Sequence, residues 1–334
     1  MKKALLVTTV LLLAAAIGFA AGQPQTAARQ ETINLRLGAV NPANHPFLLG
    51  AQRMAELVEE RSNGRITITL YPSSQLGGVS EMVQQTQVGA LDLTMVKPGT
   101  LADMGYERFN VFELPYVFRD EDHLNTIMFS EIGEELLNGV QAAGVRLVGL
   151  SYYSDGARSM FFRNKEVRRL SDMRGQRVRV QPIQIFVDLM DAFGASATPI
   201  AYAELFSALQ TGVVDAAENP LTGYYQNNFH EVAPIFVFNE HTMAPTVVIM
   251  SELTWNRLSA ADRDLIKQAA VESGEYVLEV VAQQRAEIVE SLRSQGVQLI
   301  ELEDKDAWLR AARPVVLKYG ANYTDLIDRI QGVR

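Results

Sequence analysis

The chain has 334 residues, 48% hydrophobic and 21% charged, with a net charge of −9 and no cysteine. That length and hydrophobic fraction suffice for two packed domains. The acidic balance excludes a general nucleic-acid binder, which needs a basic surface, and the lack of thiols excludes disulfides and a cysteine-ligated structural zinc. Any anion this chain binds must be held by local groups against the field of the whole molecule.

Lys2 and Lys3 precede an apolar run at residues 5–16 and the small residues Gly18, Ala20, Ala21 and Gly22. This is the pattern of a secretory signal over residues 1–22, cleaved near 20–22. The run is shorter than the roughly 20 residues of a membrane span, and a lipid anchor would need a cysteine at the cleavage site. The mature chain is expected to be free, beginning with a polar, frayed stretch at 23–31. Alternating Ile33, Leu35 and Leu37 predict a strand within 32–40, and apolar positions at helical spacing predict a helix over 47–61, stopped by Gly64. Ile66, Ile68 and Leu70 form the next strand. Ser80 caps a helix through Val88, and 91–96 reads as another strand. This rhythm argues for an α/β sheet with parallel strands. It continues with strands at 146–152 and 176–181, helices at 183–193 and 203–210, a strand at 213–217 and a Glu-Asn-Pro turn at 218–220. A strand at 246–251 and a long helical stretch at 262–294 follow.

Signatures of chemistry are scarce. The sequence has no G-x-G-x-x-G, P-loop or G-x-S-x-G. His45, His123, His230 and His241 lack metal-ligand spacing. His123 and His230 read as surface or capping residues, whereas His45 and His241, beside loops at strand ends, are candidate ligand contacts. Asp155, Asp215 and Glu218 could serve as acid and base, but nothing pairs them with a nucleophile, and backbone hydrogen bonding in a turn is the plainer role for the last two. Two arginines stand out. Arg179, in RVRV, lies at a strand end, where α/β sheets bind ligands, and its guanidinium can fork onto a carboxylate. Arg158, in SDGARSMFF, follows a Gly-containing bend. Each could equally be half of a surface ion pair. Tyr202 would lay its ring on a ligand or sit in the core. Asn219 offers a donor and an acceptor to a hydroxylated solute or simply shapes the turn.

GARSMFF, DMRGQRVRVQ, GASATPIAYAELFSALQTGVVDAAENP and FHEVA, with the earlier VEERSNGRITITLYPSSQLGG, VGALDLTM and FELPYVF, resemble the DctP-like substrate-binding proteins of tripartite ATP-independent periplasmic (TRAP) transporters over nearly the whole mature chain. The resemblance implies two α/β lobes of the periplasmic binding protein type (type II-like), joined by hinge strands and a long helix, closing on a small acid. It implies a periplasmic, non-enzymatic receptor without cofactor or metal, monomeric, binding no nucleic acid and docking on membrane permease subunits. Arg179 falls on the arginine that grips the substrate carboxylate, Arg158 on a second contact, and Asn219 and Tyr202 on further cleft positions. Lobe I is expected at 32–155 with 245–284, and lobe II at 156–244 with 285–334. The family's V-D-G reads Val214-Asp215-Ala216 here, a mild departure. Lys97 stands where some sialic-acid-binding relatives carry an acid, which argues against ligands bearing an amine. Gln181 at the end of the RVQ run, together with AENP and NEHTMAP, points to sugar acids such as hexuronates, with Glu81 placed to accept from sugar hydroxyls. A C4-dicarboxylate or 2-oxo acid remains the alternative ligand, since Lys97 would support a second carboxylate. A secreted enzyme acting on acidic sugars is the rival class, but no His, Lys or Tyr set supplies its acid and base.

Overall fold

The computed structural model describes residues 32–333, so the signal segment and the polar stretch at 23–31 lie outside the described residues. Two sheets organise the chain. The first contains β1 (Ile33–Gly38), β2 (Ile66–Tyr71), β3 (Leu93–Val96) and β4 (Leu147–Tyr153). The second contains β5 (Arg158–Phe162), β6 (Arg177–Val180), β7 (Ser196–Pro199), β8 (Ala216–Pro220) and β9 (Ile235–Thr242). The chain then returns to the first sheet with β10 (Thr246–Ser251) and ends its strand pairing in the second with β11 (Gln298–Glu301). The spatial orders are β2-β1-β3-β10-β4 and β11-β9-β5-β8-β6-β7.

Neither sheet is all parallel, contrary to the reading of the rhythm along the sequence. β10 runs antiparallel to both β3 and β4, and β5 runs antiparallel to β8 and β9. The physical reason is connectivity. The chain passes between sheets at 153–158 and again at 242–246, and strands fed by such crossings run against the βαβ units beside them. The Glu-Asn-Pro segment is also not a turn. Glu218, Asn219 and Pro220 lie in β8, opposite Met160, Ser159 and Arg158 of β5, and the turn comes earlier, at Gly212.

Several helices begin where local chemistry asks. His45 caps Pro46–Arg61 by accepting from the Phe47 N–H, and Pro46 fits the first helical position, where no N–H is needed. Val79–Gln87 is capped at Gly78 rather than Ser80. Glu81, its third residue, reaches back to the Gly78 N–H at 2.5 Å. The 35-residue helix Ala260–Ser294 ties the two halves together. Its Ile266, Ala269, Ala270 and Val277 pack with Leu35, Leu37 and Met250 of the first sheet, whereas Ile288 and Leu292 pack with Phe161 and Phe236 of the second. Gly274 lets this helix lie directly on β4: a Cβ there would stand 2.5 Å from the Tyr152 carbonyl oxygen.

Candidate ligand-binding site

A cavity of about 540 Å3 lies between the two sheets. One wall comes from segments leaving β1 and β3 (Val40, Asn41 and Lys97), from the start of helix Val79–Gln87 and from helix Pro98–Asp103. The other wall comes from β5, β6 and β8 and from the short 3-10 helix Tyr202–Glu204. Most of these segments leave the carboxyl ends of parallel strands, where open α/β sheets leave a crevice.

Seven residues singled out in the sequence line this cavity together: Glu81, Lys97, Arg158, Arg179, Gln181, Tyr202 and Asn219. Neither arginine is a surface ion pair, for they are only 3% and 1% exposed. They are electrostatically unlike. Arg158, the first residue of β5, is already partnered: its Nε donates to Glu218 Oε2 at 2.5 Å and an Nη donates to the Glu218 carbonyl. Glu218 stays ionised despite burial because Arg158 faces it. Arg179, in the middle of β6, has no carboxylate within salt-bridge distance among the described residues. Its Nε donates to the Ile200 carbonyl at 2.9 Å, and its Nη1 is buried with no partner. Burial, with a smaller push from the Arg158 charge, lowers this guanidinium to about 10 against the opposing pull of Glu218. It lies 5.7 Å from the centre of the Tyr202 ring, whose hydroxyl accepts from Asn219 Nδ2 at 3.0 Å. Tyr202 and Asn219 therefore brace each other beside the guanidinium.

On the facing wall, half-buried Lys97 donates to the Ala244 carbonyl at 2.8 Å, and burial lowers its ammonium to about 8 against the opposing pull of Asp155. Glu81 is exposed and spends one oxygen on its own helix cap, so it meets the cavity as a rim group. Gln181 Nε2 is buried without a partner, available to an acceptor in the cavity.

His45 and His241 do not line the cavity, contrary to expectation. His45 is consumed by its helix cap, and His241 lies behind Glu218, with its Nδ1 at 3.2 Å from Asn239 Oδ1. Burial holds both near pKa 4, so they are neutral. His123 and His230 are buried rather than on the surface: His123 Nε2 meets the Ile330 carbonyl at the end of the last helix, and His230 stacks on Tyr225. Asp215 does bond backbone, accepting from the Arg177 N–H, and also grips the Arg177 guanidinium. Asp155, singled out in the sequence only as a possible acid or base, also lines the cavity, and Asn41, Thr100 and Thr246 were missed. The available signal for Asp155 was its place immediately before Gly156, a glycine at φ +98 in the crossing between sheets.

The family described as bacterial extracellular solute-binding protein, family 7 (DctP) matches residues 37–322. The chain belongs to this family. Within it, the TRAP periplasmic solute binding protein from Pseudomonas putida F1, solved with bound D-glucuronate, is similar with a TM-score of 0.87 at 35% identity, covering 90% of this chain and 98% of that one. A second, from a Bradyrhizobium species in complex with α/β-D-galacturonate, is similar with a TM-score of 0.86 at 31% identity, covering 89% and 99%. The sialic acid-binding periplasmic protein SiaP of Vibrio cholerae is 32% identical over 273 residues, 81% of this chain and 84% of its own. This DctP-type chain therefore has the two-lobed fold of TRAP solute receptors, which bind small acids and work with membrane permease components. Among the described residues no helix is long and apolar enough to cross a membrane.

Proposed function

We propose that this chain is a periplasmic receptor that captures a sugar monocarboxylate, a hexuronate, and presents it to its permease without altering it. One observation carries the reading: a fully buried guanidinium, Arg179, lines the cavity with an unpartnered Nη1 and no carboxylate in salt-bridge contact among the described residues. A ligand carboxylate supplies the missing charge and acceptor together, in a site where exclusion of water strengthens the pair. Tyr202, Asn219 and Gln181 then offer hydroxyl-directed groups, and unmatched buried polar groups penalise the wrong solute. Uronates bound to two relatives of the same fold support the ligand class.

The proposed lobes are residues 32–155 with 245–284 and 156–244 with 285–334, a division that leaves each sheet within one lobe. Closure of the lobes would be the signal read by the permease. The receptor would act as a monomer, after cleavage of its signal near residues 20–22, and would bind no nucleic acid. Lys97 in the wall favours a second reading, a C4-dicarboxylate or 2-oxo acid.

Thermal melting of the mature protein with D-glucuronate, D-galacturonate, succinate, pyruvate and sialic acid tests the choice. A ligand at a hundred times its dissociation constant stabilises the folded state by about 2.7 kcal/mol, a readable rise in Tm. A rise confined to the uronates is expected. A rise with succinate or pyruvate alone would remove the uronate reading, and none with any acid would remove the carboxylate grip.

A further inference from the structure

We infer that Asp155 is the specificity-determining hydroxyl acceptor of the cavity, and that its charge favours acids with one carboxylate and a polyhydroxy body. This rests on the reading of the cavity as a carboxylate-binding cleft.

Asp155 is only 6% exposed, yet no donor among the described residues reaches either of its oxygens within hydrogen-bond distance. Its nearest nitrogen partner, His45 Nε2, stands 3.7 Å away and belongs to a ring that burial keeps neutral. A carboxylate that lines a cavity and receives no protein donor is placed to accept from a donor in the ligand. That donor must be uncharged. Lys97 lines the same cavity and would repel a second cation placed there. On the opposite wall Arg158 is neutralised by Glu218. Arg179 is therefore the fully buried lining arginine with no carboxylate in salt-bridge contact among the described residues, and it seats one ligand carboxylate. Asp155 and the rim acids Glu81 and Asp103 would repel a second ligand carboxylate placed beside them. Hydroxyls meet no such penalty, since each can donate to Asp155 and accept from Lys97 at once.

The test measures binding of D-glucuronate and of adipate, a six-carbon dicarboxylate without hydroxyls, by calorimetry on wild-type protein, Asp155→Ala and Asp155→Asn, each checked for native circular dichroism. Wild type should prefer D-glucuronate. In Asp155→Ala its affinity should fall by roughly tenfold to a hundredfold, the span of a hydrogen bond to a charged group, whereas adipate should hold or improve because a repulsive charge has gone. Asp155→Asn keeps an acceptor of the same shape and should recover part of the loss. Equal losses for both acids would reduce Asp155 to a structural role and overturn the inference, as would D-glucuronate binding unchanged in both variants. Wild type that binds adipate and not D-glucuronate would overturn the uronate reading together with the role of Asp155.

Discussion

Replacing Arg179 by methionine should abolish ligand binding and yet make the empty protein more stable. Burial lowers the guanidinium from its ordinary 12.5 to about 10, and a drop of that size corresponds to about 3 kcal/mol of strain on the charged form. Methionine keeps much of the apolar stem and removes that strain. It also removes the bond from Nε to the Ile200 carbonyl, which costs about 1–2 kcal/mol. The net gain is about 1–2 kcal/mol, or a few degrees of Tm in a protein of this size. Binding should move the other way. Two charge-assisted bonds to a ligand carboxylate, at about 1.5–3 kcal/mol each, correspond to a loss of roughly a hundredfold to ten-thousandfold in affinity. Differential scanning calorimetry with and without D-glucuronate reads both effects in one sample. A variant that binds within about threefold of wild type would refute the clamp. One that melts several degrees lower without ligand would refute the claim that the empty site holds Arg179 at a cost.

Three further outcomes follow from buried groups and close packing. Glu218→Ala leaves Arg158 charged and unpaired in the interior, so urea unfolding should show a loss of about 3–5 kcal/mol; a loss below about 1 kcal/mol would mean that water reaches the pair. The pH dependence has two opposed limbs. His45 and His241, held near 4 by burial, contribute stability that is full above pH 6.5 and is lost as pH falls through 4, about 3 kcal/mol each. Glu113, pushed up to about 7 by burial, contributes stability that is full below pH 4.5 and is lost as pH rises through 7. Glu113→Gln should therefore gain about 2–3 kcal/mol on wild type between pH 5 and pH 8, and parallel stability curves would count against the buried carboxyl. Gly274→Ala sets a methyl group 2.5 Å from the Tyr152 carbonyl oxygen, where backbone must move. It should destabilise by about 1–3 kcal/mol, and a neutral result in urea would show that the long helix is not clamped on β4.

Much of the fold was legible because its signals are local. Alternation in Ile33–Gly38 and Ile66–Tyr71, helical spacing in Pro46–Arg61 and the long run ending at Ser294 all sit close to their predicted bounds. β5 and β9 were not anticipated, and β8 was displaced by three residues. Phe161, Phe162 and Phe236 are apolar on both faces of a buried sheet, so no alternation marks the strands. Strand direction was misread for a related reason: β10 is antiparallel only because the chain returns to the first sheet from the second, which no local pattern records.

The cavity divides the same way. Residue type marked Arg179, Arg158, Tyr202 and Asn219 as groups able to hold an acidic, hydroxylated solute, because guanidinium, amide and phenol groups carry that chemistry wherever they lie, and the family resemblance added Gln181, Lys97 and Glu81. What each group does there depends on its neighbours. Glu218 neutralises Arg158 from the adjacent strand and leaves Arg179 as the buried arginine with no carboxylate in salt-bridge contact among the described residues. A helix cap takes His45 out of the cavity wall, and Asn239 and Glu218 surround His241 behind it. Asp155, read in the sequence only as a possible acid or base, becomes a buried cavity residue that accepts from no donor among the described residues. Desolvation and ion pairing act over a few ångströms between residues sixty or more positions apart in the chain. The sequence determined which chemical groups were present, and only the packing of the two sheets decided which of them remained free to meet a ligand.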